Sequence, residues 1–504
     1  MITKLSRFFS RAVTLILALL LAVGLLQNIC SFEHKSYIAA FAAALLLFVG
    51  FCYLLRKNKL RLPLTGLSER RVGLLLAAVC ILFHLIWILV LRVTPTVDFA
   101  TFWAVANALA ADERIGLFTY VAMFPHIFGY SWVLSLLIRL FGSSDLLAPV
   151  FNVLLTTGSC LLIYHLLLPH CGKNTAAAVS LFWILCPSKA IYNTMVISEP
   201  FYTNLLLLFF YAVQKLELRS DACCAELPAD TYASAPSGRT AFLITLISAV
   251  CCGLLLRLLN AARPIAAIPI IAYVLWMLLL RHEKLSVKKS WLLLLVFAAV
   301  LSAVYFPTGK VWDRYVESKL GVEPSSFPGY SVYVGFNTES EGSYSDEDMD
   351  MLQNYVYVDG LTPEEAQQKM WEAAKERLTS GNINFPSLML KKLATFLGND
   401  EGGAYYAKAF LSSRAYSLLA VISNIYYYFL LLICFTAMAA LLKHPVRSSL
   451  QLAPLYAVGL ILAQMLVEVA GRYHYSLLPV LLLITGCGFS VLKPSNSEFS
   501  SQES

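Results

Sequence analysis

Four short polar stretches interrupt an otherwise apolar chain, and they carry the residue types that could do chemistry. Asp98 follows "RVTPTV". "PSKAIYNTMVISEPF" carries Lys189 and Glu199, "RLLNAARP" carries Arg257 and Arg263, and "EVAGRYHY" carries Glu468, Arg472, Tyr473 and His474. Polar and ionisable side chains at the ends of apolar segments are costly, so they read first as functional. Clustered cations suit a lipid phosphate or diphosphate, and arginine grips phosphate with a fork of donors. A carboxylate beside them suits a general base that takes a proton from an acceptor hydroxyl or amine. Together these groups describe sugar transfer from a lipid-phosphate carrier, with the cations stabilising the charge that develops on the leaving phosphate. Each residue also has a plainer reading. Asp98 at a helix start is the type of residue that caps free backbone N–H groups. The arginines, Arg257 above all, would snorkel to the interface, and His474 would be an ordinary hydrogen-bonded interfacial histidine. The run Arg472-Tyr473-His474-Tyr475 is harder to explain that way, since snorkelling needs one cation only.

The elements that must position these residues follow from composition. The chain has 504 residues, 59% hydrophobic and 14% charged, with a mean hydropathy of +0.69. Soluble globular domains carry about 25% charged residues, and disordered chains are poor in hydrophobic residues, so both classes are excluded. The net charge of +7 is no nucleic-acid signal, because Lys and Arg first set topology in a membrane protein. The 12 cysteines show no C-x-x-C pair and lie mostly in apolar runs, so neither a disulfide framework nor a zinc site is expected.

A crossing helix needs about 20 mostly apolar residues. Such runs are Val13–Gln27, Tyr37–Leu55, Val72–Leu91, Leu147–Leu168, Ala176–Val196, Phe201–Val213, Ala241–Leu259, Pro264–Leu280, Trp291–Phe306, Ser417–Leu442, Ala453–Val467 and Ser476–Leu492. The N-terminal run follows Lys4, Arg7 and Arg11 and lacks a small-residue cleavage site, so it reads as an uncleaved first span. Lys and Arg concentrate in Arg56–Arg71, in Arg281–Lys289 and around Lys443 and Arg447. The positive-inside rule puts these loops, both termini included, on the cytoplasmic side. The four polar stretches and the segment Gly309–Arg414 then face outward. That count holds if Met123–Phe141 does not cross but lies as an interfacial helix.

The expected architecture is an all-α integral membrane bundle of about 12 transmembrane helices. Residues 1–308 form an N-terminal transmembrane module whose first outer loop (92–146) carries Asp98. Residues 309–414 form a small, mostly helical extracytoplasmic domain, 415–492 a C-terminal transmembrane module, and 493–504 a disordered polar tail. The 309–414 segment holds 16 Asp+Glu and 10 Lys+Arg, and acidity of this kind does not set topology. "SYSDEDMDMLQNYV", "LTPEEAQQKMWEAAKERLTSG" and "FPSLMLKKLATFLG" read as helices; Thr362 and Glu365 form a capping box with Pro363 at the first helical position. "YSVYVGFN" reads as a short strand. Asp221–Thr240 reads as a flexible linker.

The stretches "VDFATFWAVANALA", "FPHIFGYSWVLSLLIRLFGSS", "PSKAIYNTMVISEPFYTNLLLL", "GLLLRLLNAARPIAAIPII", "SVYVGFNTESEGSYSDEDMD" and "EVAGRYHYSLLPVLLL" resemble, in this order, the multi-spanning glycosyltransferases of the GT-C fold, in the bacterial branch related to protein O-mannosyltransferases and the lipid A aminoarabinose transferase. The resemblance implies a hexosyl- or pentosyltransferase that uses a polyprenyl-phosphate sugar and inverts the transferred centre. It implies Asp98 as the first-loop carboxylate, a catalytic base or an acceptor-orienting group, and Arg472 as the C-terminal arginine at the lipid phosphate. It places Glu199 in the turn between two spans. Arg263, Tyr473 and His474 join the substrate-binding candidates by residue type, and Lys189, which matches no family residue, reaches the phosphate as a point charge or serves a structural role near Pro187. Many relatives carry Asp-Glu where this chain has Asp98-Phe99, so the pair that goes with a bound divalent metal (Mg or Mn) is incomplete and no cofactor is assigned. Asp112-Glu113, further along, reads as a solvated helix end. Expected partners are the lipid-linked donor, a surface glycan, lipid or protein acceptor, and the bilayer, with no nucleic acid. A polysaccharide polymerase or ligase, a flippase or transporter, and a non-catalytic GT-C relative are the competing classes. Transporter sites sit near mid-membrane and often between internal repeats, and neither feature is visible here.

Overall fold

A computed structural model describes residues 2–30, 35–57, 62, 64, 66–222, 238–280, 288–446 and 448–492. The Asp221–Thr240 linker, the Arg281–Lys289 loop, most of the basic Lys57–Thr65 stretch, Arg447 and the 493–504 tail lie wholly or largely outside the described residues. Every regular element among the described residues is helical. In chain order these are α1 (Ile2–Cys30), α2 (Lys35–Arg56), α3 (Glu69–Val90), α4 (Val97–Ala111), α5 (Leu117–Met123), α6 (His126–Phe141), α7 (Leu147–Ile184), α8 (Pro187–Tyr192), α9 (Glu199–Ala222), α10 (Gly238–Ala262), α11 (Ala267–Leu275), α12 (Lys288–Leu320), α13 (Gly329–Gly335), α14 (Asp346–Tyr357), α15 (Pro363–Thr379), α16 (Phe385–Leu397), α17 (Gly402–Ala407), α18 (Ser413–Lys443), α19 (Leu452–Leu466) and α20 (Leu477–Leu492).

Nine helices among the described residues are long and apolar enough to cross a membrane. The chain is therefore a multi-pass, all-helical membrane protein. The twelve apolar runs map onto it with three adjustments. α7 carries two runs in one element, bent where Pro169 lacks a donor and Gly172 turns to φ +72°. The second of those runs stops at Ile184, because Pro187 cannot continue a helix and opens the short α8 instead. Two other runs fall in α9 and in α11 with the π-helical turn Trp276–Leu280 that extends it. α6 has 16 residues, short of the about 20 that a crossing needs, and it packs on α4 and α10. Gly129 is what lets α6 approach α10, since a Cβ there would meet the Ala261 carbonyl.

Two expectations change in the 309–414 segment. Its start falls inside α12, which runs on through Pro307 to Leu320, because polar residues extend a helix freely once it has left apolar surroundings. "YSVYVGFN" is not a strand: residues 329–335 form α13. No strand among the described residues pairs with it, and a helix satisfies its own backbone groups. Gly329 presses that helix onto α15, where any Cβ would strike the Gln367 carbonyl. The capping box at Thr362 and Glu365 is present, with Pro363 at the helix start. Helices α13–α15 share a small core of Tyr330, Val334, Met349, Leu352, Ala366 and Met370 that closes over Met123 at the end of α5. This seats α13–α15 against α5.

Lys392 fastens the same outer segment to the C-terminal spans. Its buried ammonium donates to the carbonyls of Gly335 (2.7 Å), Met465 (3.0 Å) and Val467 (2.7 Å). The carbonyls favour the charged form, but burial pushes Lys392 down to about 8, against a smaller opposing pull from Glu468. An unfolded lysine titrates near about 10.4. Between these values the unfolded chain holds a proton that the folded chain has released, so this group's contribution to stability rises with pH. The wild-type thermal midpoint is expected to gain stability across that window relative to Lys392→Met; parallel pH profiles for the two proteins would refute this.

Candidate functional site

Asp98 sits at the second residue of α4, and the cap position belongs to Thr96. Its carboxylate is engaged by Arg472, whose Nη2 lies 2.5 Å from Asp98 Oδ2. The cap reading therefore gives way to a contact between residues 374 positions apart. Val97, just before it, has φ +49°, a conformation that is a genuine outlier for a β-branched residue. Such strain costs on the order of 1–3 kcal/mol and collects at functional sites. The Val97 side chain is 84% exposed, so it gains little packing in return. Val97→Gly is expected to keep or raise the melting temperature, whereas Val97→Ala leaves the strain in place; a fall in stability with glycine alone would show that no strain is held there.

Arg472 comes from a short 3₁₀ turn, Gly471–His474, between α19 and α20. Its Nε lies 3.9 Å from Glu199 Oε1 and is buried without a hydrogen-bond partner. The guanidinium lies near the rings of Phe99, Tyr406 and Tyr473, 5.4–5.6 Å from their centroids. Arg263, just past α10, stacks on the other side chain of this group, 4.0 Å from the Tyr473 ring centroid. Tyr473 donates its hydroxyl to Glu468 (3.2 Å). Four elements thus converge: the start of α4, the start of α9, the end of α10 and the turn before α20. Two carboxylates, Asp98 and Glu199, face one guanidinium between them.

Two cavities meet at this point. The smaller, about 100 Å³, is lined by Glu199, Arg263, His126 and Tyr330 among others. The larger, about 1750 Å³, opens toward α16, α17, the C-terminal end of α1 and the N-terminal end of α2. Asp98, Arg472, Tyr473 and Glu468 line both. Burial, reinforced by Arg263, lowers His126 to about 3, so it faces the small cavity as a neutral imidazole. Burial raises Glu468 above the usual carboxylate range, against the pull of Arg472.

Of the residues that the sequence singled out, Asp98, Glu199, Arg263, Arg472 and Tyr473 share this site. Lys189 and His474 do not; they line neither cavity. Both are buried against Asp400, with Lys189 Nζ 3.5 Å and His474 Nε2 3.0 Å from Asp400 Oδ1. Ser188 donates to the other oxygen at 2.5 Å, and the Lys189 ammonium sits 4.2 Å from the Tyr475 ring centroid. Burial opposes the Asp400 charge, but Lys189 and His474 outweigh it and hold the carboxyl below its ordinary value. This cluster ties α8 and the α16–α17 connection to the turn that bears Arg472. Both side chains are buried in this contact. Arg257 pairs with Asp313 at 2.6 Å, away from the site. Asp112 ends α4 in a left-handed conformation and pairs with Lys319 and Arg139, as a surface helix end does.

His126, Tyr120, Tyr344 and Tyr406 line the site and were not legible as site residues, and neither was Asp400 as the anchor of the neighbouring cluster. Asp400 is one carboxylate among the 16 in its segment, and no local pattern marks it. Glu468 stood out as polar, but nothing in its spacing joined it to Asp98. Among the described residues, no three His, Cys, Asp or Glu side chains gather as a metal-binding set; the cation between Asp98 and Glu199 is Arg472.

No protein-family model and no curated protein matches the chain. A solved structure, ArnT from Cupriavidus metallidurans bound to undecaprenyl phosphate, is similar over 83% of this chain and 77% of its own, at 12% identity and a TM-score of 0.30. A likeness that slight carries no argument, and the chain's own site geometry has to bear the functional reading.

Proposed function

We propose that the protein is a membrane glycosyltransferase of GT-C type, which moves a sugar from a polyprenyl-phosphate carrier to an acceptor at the outer face of a plasma membrane. The supporting observation is the 2.5 Å contact between Asp98 and Arg472 at the junction of two cavities. The donor's phosphate would meet Arg472 and Arg263 at this junction, and the acceptor hydroxyl would reach Asp98 from the larger cavity. Asp98 takes the proton of the acceptor hydroxyl as its oxygen bonds to the sugar's anomeric carbon. The bond from that carbon to the phosphate oxygen breaks, and the lipid phosphate leaves with the electron pair. Arg472 and Arg263 stabilise the negative charge on that phosphate. Attack from the side opposite the phosphate inverts the anomeric centre.

Without donor, Arg472 occupies Asp98. A phosphate that draws the guanidinium toward itself frees the carboxylate to accept the acceptor's proton. Lys189 and His474, substrate-binding candidates by residue type, act in this reading through the turn that carries Arg472. The basic loops and both termini face the cytoplasm, and the 309–414 segment faces outward.

Mass spectrometry of envelope glycans from cells lacking the protein tests the reading. One sugar should disappear, wild-type protein should restore it, and Asp98→Asn should not. An unchanged glycan profile, or solute uptake by proteoliposomes without sugar transfer, would overturn it.

A further inference from the structure

We propose that the large cavity is the binding site for an uncharged oligosaccharide acceptor several sugar units long, laid along a tyrosine-lined floor that ends at Asp98. This rests on the transferase reading and names its acceptor class.

Size comes first. The cavity measures about 1750 Å³, above the roughly 300–1,000 Å³ that buries a drug-sized ligand. One sugar would leave most of it as water, whereas a chain would fill it. Charge comes second. The lining holds four carboxylates, from Asp98, Glu341, Glu401 and Glu468, against the three cations of Lys391, Lys408 and Arg472. Most are already engaged. Lys391 pairs with Glu341 at 2.8 Å, Arg472 with Asp98, and Glu401 accepts from Tyr37 (3.0 Å) and Asn424 (3.2 Å). The Lys408 ammonium lies 5.3 Å from the Tyr416 ring centroid. A polyphosphate chain would meet no excess of cations here, and a cationic peptide no free acidic field.

Surface chemistry comes third. Between those charges the wall mixes apolar side chains such as Phe99, Leu117 and Met349 with tyrosines and uncharged donors and acceptors, among them Tyr344, Tyr405, Tyr406, Asn399 and Gln353. Tyr405 is exposed in the cavity and meets Tyr406 edge-on, with centroids 5.4 Å apart. Tyrosine offers a rigid apolar face with one polar tip. A pyranose is its complement, with C–H faces to stack and hydroxyls to pair with amides and carboxylates. An acyl chain would instead leave these polar groups desolvated and unpaired, which is costly. The row from Tyr405 through Tyr406 leads to Arg472, so a stacked chain would point its terminal hydroxyl at Asp98.

The test measures binding to the full-length protein in nanodiscs, without donor. The probes are envelope glycans from cells lacking the protein, sized by gel filtration and split by anion exchange into neutral and phosphate-bearing pools, with glycolipid vesicles as a third probe. Neutral chains of about six units should bind at least tenfold tighter than those of one or two. Tyr405→Ala, an exposed position that should fold normally, should remove that gain while short chains bind as before. Affinity independent of length, binding confined to the phosphate-bearing pool, or preference for the vesicles would each overturn the proposal. Because the assay uses neither donor nor turnover, its failure would leave the glycan-loss test of transferase activity standing, and failure of that test would show separately.

Discussion

Replacing Asp98 with Asn is expected to lower sugar transfer by about 10²–10⁴-fold, the usual worth of a positioned general base. The amide matches the carboxylate in shape and keeps an oxygen that can accept from Arg472 at the present 2.5 Å, but it takes no proton. Donor binding should survive or improve, because Arg472 is then held less tightly and is freer to meet phosphate. Asp98 is 41% exposed in its side chain, so loss of its charge should shift the melting temperature little. Initial rates in reconstituted membranes, read beside donor affinity, separate the cases. A variant with wild-type turnover would remove Asp98 from the chemistry; one with lost donor affinity and normal turnover would make it a binding residue instead.

Arg472→Gln carries the second large effect. The guanidinium is the sole cation placed between Asp98 and Glu199, at 2.5 Å and 3.9 Å. Its loss removes charge stabilisation from the leaving phosphate and leaves two carboxylates facing the same space. Removing one preorganised group that meets developing charge typically costs about 10²–10³ in turnover. Here donor KM should rise as well, since the phosphate would approach uncompensated negative charge. Arg472→Lys should rescue little, because an ammonium lacks the planar fork that can serve phosphate and carboxylate together. Free guanidinium ion added to Arg472→Ala offers a direct check. Partial recovery of transfer would place the missing group in the reaction, whereas a purely structural role for Arg472 predicts no recovery.

The pairing also explains the backbone around it. Val97 at φ +49° turns Asp98 away from the helix-capping position and toward a guanidinium from the far end of the chain. A relaxed Val97 would favour the cap that the local sequence suggests.

Much of the fold was legible because its causes are local or additive. Hydropathy sums along a segment, so the apolar runs announced the spans. Caps act within one turn, so Thr362, Glu365 and Pro363 announced the start of α15. Where the local signal was ambiguous, tertiary contact decided. "YSVYVGFN" has the β-branched and aromatic composition of a strand, yet it became α13 because nothing beside it could pair its backbone and Gly329 could press against Gln367.

The candidate site divides along the same line. Residue type alone determined that Asp98, Glu199, Arg263 and Arg472 were too costly at span ends to be idle, since a charge there must find a partner or water. It could not determine which partner. Lys189 and His474 have the same types and the same placement, and only the assembled structure turns them into the Asp400 cluster and away from the cavities. The reason is geometric: two side chains on one short turn, such as Arg472 and His474, leave it in different directions, and which direction borders a cavity depends on helices hundreds of residues distant.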